Sequence, residues 1–126
     1  MKKTGVLNAE LSHALATLGH GDMLVLGDAG LPVPPGVACI DLAVTVGVPR
    51  LWPVLDAVLS EMEVERSVIA EEASGEVAGG FAERLGASET MSHEAFKALT
   101  GDARAVVRTG ETTPYANVIL VSGVVF

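Results

Sequence analysis

Short apolar runs alternate along this chain with stretches in which apolar residues recur at helical spacing. From Leu7 to Leu18, four leucines follow one another at intervals of three or four residues, which places them on one face of a helix. Asn8 can cap such a helix, and Gly19 can adopt the left-handed conformation that ends one. Residues 9 to 18 are therefore predicted to form an amphipathic helix.

The run from Met23 to Gly27 is apolar throughout, which is typical of a strand covered on both faces of a sheet. His20 precedes this strand and Asp28 follows it. A strand of this length spans roughly 17 Å, so the two side chains meet only if the chain bends back beside one of them. Polar residues next to glycines at strand ends often only turn the chain, so this stretch alone leaves a functional site and a simple turn both open.

The same alternation continues to the end of the chain and predicts the fold class. Helices between strands favour a three-layer α/β/α sandwich with a central, mostly parallel sheet. No repeat, linker or low-complexity tract divides the sequence, so residues 1–126 are predicted to be a single domain. The further predicted elements are a loop at 30–36, a strand within 37–46, a helix over 51–62 with Pro49 in its first turn, a strand at 64–70, a helix at 72–86, a short helix from Ser92 to Leu99, and strands at 103–107 and 118–121.

The apolar content is higher than a single small domain requires. Apolar residues make up 49% of the chain, and with its 14 glycines the share is about 60%, against about 45–50% in typical soluble domains. No apolar run approaches the roughly 18 residues that a membrane-spanning helix needs. The surplus is therefore predicted to lie between subunits, with the apolar segment 124–126 as a candidate contact.

Charge and cysteine content exclude several classes of protein. A formal net charge of −8 argues against partners such as nucleic acids and anionic membranes, which require basic patches. One cysteine, Cys39, rules out an internal disulfide framework. The basic start at 1–3 is followed by polar residues within 8–13 and not by an apolar signal core, so the cytoplasm is the expected compartment.

Arg108 and Glu111 are predicted to pair with each other across a turn.

Familiar cofactor and metal motifs are missing. The segment Gly27 to Gly30 lacks a third glycine at the required spacing, and the prolines after it prevent the helix that a dinucleotide fingerprint needs. The three histidines, His13, His20 and His93, are not arranged as a zinc motif, so no metal site is expected. No Gly-x-Ser-x-Gly elbow occurs, although residue counting alone leaves a Ser–His–Asp triad open.

Several polar residues remain at predicted strand ends and helix starts, where the ligand crevices of open α/β sheets are built. Each also has a structural explanation. His93 can be a surface residue at a helix start, Tyr115 a core aromatic with its hydroxyl bonded to backbone, and Asn117 a residue that only satisfies a turn. The candidates are His20, Asp28, His93, Tyr115 and Asn117.

Short motifs along nearly the whole chain resemble the D-ribose pyranase family of sugar mutarotases. They are Lys2-Lys3, Val6-Leu7-Asn8, Leu18-Gly19-His20, Asp28-Ala29-Gly30-Leu31-Pro32, Ile40-Asp41-Leu42-Ala43, Gly47-Val48-Pro49, Glu61-Met62, Ile69-Ala70-Glu71-Glu72, His93-Glu94, Phe96-Lys97, Arg108-Thr109-Gly110-Glu111 and Pro114-Tyr115-Ala116-Asn117. Residues 73 to 90 depart from the family because this region is shorter here.

The resemblance implies a cofactor-independent enzyme that interconverts the β-pyranose and β-furanose forms of D-ribose. It also implies a cytoplasmic homo-oligomer built from pentameric rings, often paired into decamers. The family's catalytic histidine falls on His20. Its sugar-binding positions fall on Asp28, His93, Tyr115, Ala116 and Asn117.

The implied chemistry suits these residue types. Opening a cyclic hemiacetal removes a proton from the anomeric hydroxyl and delivers one to the ring oxygen, and histidine can do both near neutral pH. Two alternatives stay open at this point: anomer exchange of the fucose mutarotase type, and a non-catalytic sugar-binding subunit. The segments Asp28 to Pro32 and Pro114 to Asn117 match the pyranase form better than the fucose mutarotase form.

Overall fold

Four helices and six strands make up the fold of the computed structural model, which describes every residue from Met1 to Phe126. A single 3-10 turn, Thr100–Asp102, follows the last helix. The helices are α1 (Ala9–Thr17), α2 (Leu51–Leu59), α3 (Gly75–Leu85) and α4 (His93–Leu99). The strands are β1 (Met23–Gly27), β2 (Ala38–Asp41), β3 (Val64–Ala70), β4 (Glu89–Met91), β5 (Ala105–Arg108) and β6 (Val118–Ser122).

The six strands form one sheet in the order β2-β5-β1-β6-β3-β4. Strands β2, β5 and β1 are parallel, as are β3 and β4, whereas β6 runs antiparallel to both of its neighbours, β1 and β3. One edge of the sheet, here the carboxyl edge, therefore carries the ends of five strands and the start of β6. The opposite edge, the amino edge, carries the starts of those five strands and the end of β6.

Helices cover both faces of the sheet, which confirms the predicted three-layer arrangement. Leu24 and Leu26 of β1 lie in the larger core with residues of α1, α2 and α3, including the fully buried Phe81. Val25, whose side chain points to the other face, lies in the smaller core with Phe96 of α4. Alternation of side chains along a strand explains why this wholly apolar segment is buried on both sides.

Two helix starts follow the sequence prediction, and one helix end does not. Asn8 Oδ1 accepts from the Leu11 N–H at 2.9 Å, and Ser92 Oγ accepts from the Ala95 N–H at 3.1 Å. Gly19 does not end α1 in a left-handed conformation, because the cap is Leu18 in an extended conformation. The positive φ, +83°, belongs instead to Gly21, in the turn that leads into β1.

The second apolar run contains less strand than its sequence predicts. Only Ala38–Asp41 belongs to the sheet, and the chain then turns away. Val44 and Val46 are 80% and 76% exposed, so their apolar side chains have no core to join within this chain. Pro49 also lies outside α2, which begins at Leu51.

The predicted ion pair between Arg108 and Glu111 is wrong. Parallel pairing of β2 and β5 places Asp41 beside Arg108, and the Arg108 guanidinium donates to both Asp41 carboxylate oxygens at 3.1 and 2.9 Å. Glu111 is bound instead by Arg50, at 3.1 Å from each of its carboxylate oxygens.

None of the helices combines the length and apolar character needed to cross a membrane.

Candidate active site

Asp28 and Asn117 face each other at the carboxyl edge, where β1 ends and β6 begins. Asn117 Oδ1 accepts from the Asp28 N–H at 2.7 Å, and Asn117 Nδ2 donates to Asp28 Oδ2 at 3.1 Å. The Gly30 N–H donates to Asp28 Oδ1 at 2.9 Å. The carboxylate is therefore held through both oxygens. It remains only partly buried, so it keeps free lone pairs that can accept from a ligand.

The backbone before Asp28 leaves no room for a side chain. A Cβ at residue 27 would lie 2.6 Å from Leu31 Cδ2 and 3.2 Å from Asn117 Oδ1. The Gly27 carbonyl accepts from Thr109 Oγ1 at 2.8 Å. Glycine at this position therefore allows Asn117 and the loop after β1 to close on each other.

Glu111 and Arg50 hold the loop that carries Asp28 through hydrogen bonds. The sequence did not identify either residue for this role. The Ala29 N–H donates to the Glu111 carbonyl at 2.8 Å, and the Glu111 N–H donates to Thr109 Oγ1 at 3.2 Å. Glu111 is only 2% exposed, and Arg50 binds its carboxylate through two hydrogen bonds. These hydrogen bonds, and then the charge of Glu111, raise the pKa of Arg50. A buried carboxylate needs such a partner, which ties the loop to the start of α2.

His93 and Tyr115 form a second pair at the same edge. Their ring centroids are 5.2 Å apart at an interplanar angle of 79°, an edge-to-face arrangement. The His93 N–H donates to both carboxylate oxygens of Glu72 at 2.9 and 3.0 Å, which fixes the start of α4. His93 Nδ1 is buried and has no hydrogen-bond partner in the chain. A buried polar atom of this kind is rare in proteins, and a ligand is one way to satisfy it.

Tyr115 has a backbone conformation that suits a functional position. Its φ is +62°, which is uncommon for a residue with a large side chain and costs of order 1–3 kcal/mol. The side chain is 37% exposed, so the alternative reading as a core aromatic is wrong. The next residue, Ala116, is buried. A cavity of about 330 Å³ opens beside Tyr115, between Thr113 and Glu72.

His20 lies at the amino edge, at the other end of β1 from Asp28. Its Nε2 is 2.7 Å from Glu65 Oε2, and its side chain is 61% exposed. The chain does not bend back, so the length of β1, roughly 17 Å, separates His20 from Asp28. The structure thus brings five of the predicted site residues to one edge and leaves His20 apart. The five are Asp28, His93, Tyr115, Ala116 and Asn117.

A mixed six-stranded sheet with helices on both faces and polar side chains at its carboxyl edge makes this an α/β protein with a candidate ligand site. The RbsD / FucU transport protein family matches residues 1–125, and the chain belongs to this family. A D-ribose pyranase of Paracidovorax citrulli is 61% identical over 130 residues, and one of Pseudomonas putida is 58% identical over 132 residues. Both alignments cover all of this chain and all of the relative.

Two solved structures differ in how similar they are to this chain. Bacillus subtilis RbsD in complex with D-ribose has a TM-score of 0.94 at 49% identity, with both chains fully covered. The fucose mutarotase from Streptococcus pneumoniae in complex with L-fucose has a TM-score of 0.80 at 28% identity, with 95% of each chain covered. The family resemblance and the fold class predicted from the sequence are therefore confirmed, and the pyranase relatives are closer than this fucose mutarotase.

Proposed function

We propose that this protein is a cofactor-independent isomerase that interconverts the β-pyranose and β-furanose forms of D-ribose. One observation carries the proposal: 61% identity to a D-ribose pyranase with both chains fully covered. A second supports it, because the fold superposes with a TM-score of 0.94 on RbsD solved with D-ribose. The polar groups at the carboxyl edge suit an uncharged sugar.

The proposed sugar site consists of Asp28, His93, Tyr115, Ala116 and Asn117. The Asp28 carboxylate, already oriented by Asn117, can accept from two sugar hydroxyls. The unpartnered Nδ1 of His93 and the Tyr115 hydroxyl add further hydrogen-bonding positions. The Tyr115 ring offers an apolar surface to the C–H face of the sugar, and Ala116 lines the site through its backbone.

The proposed chemistry is a proton relay at the anomeric centre. His20 removes the proton of the anomeric hydroxyl, the bond between C1 and the ring oxygen breaks, and that oxygen receives a proton. The product is the open-chain aldehyde. The hydroxyl on C4 then attacks C1 and the proton transfers reverse, which closes the five-membered ring. No oxidant or cofactor enters, and every proton removed is returned.

Catalysis by His20 at this site requires a second copy of the chain, because His20 and Asp28 lie at opposite edges of the sheet. We propose a homo-oligomer in which His20 of one copy reaches the carboxyl edge of its neighbour. Pentameric rings or decamers, the form that the family resemblance implies, can provide this arrangement. The exposed apolar residues support such contacts. They include Val44, Val46, Val124, Val125 and Phe126.

The proposed compartment, pathway and ligand follow from the same family resemblance. We propose that residues 1–126 act as a single domain in the cytoplasm, in ribose catabolism, with a monosaccharide as the ligand. The net charge of −8 agrees with the absence of nucleic acid and anionic membrane from the proposed partners. Cell fractionation would check the compartment, and sedimentation at micromolar concentration would check the oligomer. A monomer would contradict the proposed assembly.

Saturation-exchange NMR on D-ribose tests the function. We expect saturation of a pyranose resonance to appear at the furanose resonance far faster with the protein than without it, and more so for D-ribose than for L-fucose anomers. Ribose binding with exchange at the background rate would make the protein a sugar-binding subunit. Faster exchange of L-fucose than of D-ribose would favour the fucose mutarotase alternative.

A further inference from the structure

Strand β3 carries an extra residue at the amino edge. Val64 pairs with Ser122 and Arg66 with Val121, so β3 advances by two residues while β6 advances by one. Glu65 is the additional residue. A bulge of this kind redirects the side chain it carries, and bulges are common beside active sites.

The end of β6 approaches the bulge closely at Gly123. A Cβ at residue 123 would lie 3.1 Å from Glu65 Cβ and 3.3 Å from Glu65 N. The Gly123 N–H donates to the Glu63 carbonyl at 2.9 Å, which holds the end of β6 against this part of β3. The bulge and the close approach of Gly123 therefore both lie at the backbone of Glu65.

Glu65 directs its carboxylate to the histidine of the proposed reaction. Oε2 of Glu65 lies 2.7 Å from Nε2 of His20, a distance typical of a charge-assisted hydrogen bond. The two side chains are 38% and 61% exposed, and such exposed pairs add little to fold stability. Fold stability therefore does not account for the contact between Glu65 and His20.

We propose that Glu65 is the positioning residue for His20, accepting a hydrogen bond from Nε2–H and leaving Nδ1 as the nitrogen that exchanges protons with the sugar. This inference rests on the proposed function, in which His20 moves the proton. In a neutral imidazole only one nitrogen carries hydrogen, and the partner of one nitrogen decides which it is. Nδ1 then takes the anomeric proton and returns a proton to the ring oxygen, while the Glu65 carboxylate stabilises the intervening imidazolium.

Three variants of the protein test the proposal. Glu65→Ala removes the hydrogen-bond acceptor, and Glu65→Gln keeps an acceptor oxygen without the charge. Glu63→Gln is the matched control, because it removes one exposed carboxylate from the same sheet edge. The first readout is the ¹⁵N spectrum of the His20 ring without ribose, which identifies the protonated nitrogen. The second is the kcat and KM of ribose exchange.

We expect neutral His20 to carry its proton on Nε2 in the native protein and in Glu65→Gln, and to populate both tautomers in Glu65→Ala. We expect the kcat of Glu65→Ala to fall about 10–100-fold with KM little changed, Glu65→Gln to be intermediate, and Glu63→Gln to match the native protein. A native proton on Nδ1, or an unchanged kcat in Glu65→Ala, would overturn the proposal. The spectrum needs no activity, so absent exchange in the native protein would contradict only the proposed function.

Discussion

At the residue scale, Asp28 shows how a carboxylate is prepared to receive sugar hydroxyls. Its two oxygens accept from the backbone of Gly30 and from the amide of Asn117, while the Asn117 carbonyl oxygen takes the Asp28 N–H. Asn117 is 1% exposed, so it is part of the interior and of the proposed site. Because these bonds exist before any ligand binds, the carboxylate pays little ordering entropy on binding.

Asp28→Asn and Asn117→Ala should each weaken ribose binding, by about 1–3 kcal/mol for each buried hydrogen bond lost. Asn117→Ala should also lower the free energy of unfolding, because it leaves the Asp28 N–H without its partner. Titration of D-ribose followed by saturation-difference NMR measures the binding. Asp102→Asn, an exposed change in the 3-10 turn, is the control. Native affinity in both site variants would mean that the sugar binds elsewhere.

His20→Ala should reduce ribose exchange by about 10²–10⁴-fold, the usual cost of losing a general acid–base group. His20 is exposed and its side chain hydrogen-bonds to Glu65, so the far-UV circular dichroism and the sedimentation coefficient should stay as in the native protein. His13→Ala removes another exposed histidine and should keep the native exchange rate. Near-native exchange in His20→Ala would remove the catalytic role from this residue.

At the scale of the elements, the site depends on how closely β1, β6 and the loop after β1 approach one another. Gly27→Ala should lower the free energy of unfolding by about 1–3 kcal/mol, since its Cβ would overlap Leu31 and press on Asn117. Gly79→Ala is the control, because nothing lies within 4 Å of its Cβ and alanine favours the α3 helix. Urea unfolding measures both changes. Equal stability of the two variants would contradict the packing described for Gly27.

The pairing of β2 with β5 should make stability depend on pH in the acid range. The hydrogen bond from Arg108, then the Ala43 N–H, holds the pKa of Asp41 below its ordinary value of 3.8. A lowered carboxyl pKa stabilises the fold above the unfolded pKa, and this contribution is lost as pH falls through the folded pKa. Asp41→Asn should therefore destabilise the protein near neutrality and lose less stability on acidification below about pH 4. Urea unfolding at several pH values measures the free energy of unfolding of both proteins. A difference between them that stays the same at every pH would contradict this prediction.

The sequence predicted the strongly patterned elements and missed those whose pattern is weak. The apolar run of β1 was sufficient because burial dictates its pattern, and the leucine spacing predicted α1 although only Leu11 is fully buried. Strand β4 was missed because Glu89, Thr90 and Met91 form an edge strand that pairs only with β3 and needs no apolar alternation. The turn after Asp41 was missed because its valines are apolar yet exposed.

The candidate site was predictable as a set of residues but not as an arrangement in space. Family motifs pointed to Asp28, His93 and Asn117, and the structure brings these to one edge. Their contacts depend on β6 lying antiparallel between β1 and β3, which no local pattern encodes. The same holds for Glu65, since its approach to His20 follows from a bulge that is visible only in the strand register.

At the scale of the whole molecule, one copy of the chain holds both parts of the proposed site at opposite edges of its sheet. The carboxyl edge carries Asp28 and Asn117, and the amino edge carries His20 with Glu65. A head-to-tail ring places the amino edge of each copy against the carboxyl edge of the next, so every interface can contain a complete site. The proposed activity would therefore require the assembled ring.

Mixing two variants, each impaired in one part of the proposed site, tests this central claim most directly. His20→Ala and Asp28→Asn are each assembled alone, and then together in equal amounts, and ribose exchange is measured by saturation-exchange NMR at low ribose concentration. If sites lie between copies, random mixing gives about a quarter of the interfaces an intact His20 and an intact Asp28, and exchange should recover to about a quarter of the native rate. Exchange in the mixture no faster than the mean of the two separate variants would contradict the account.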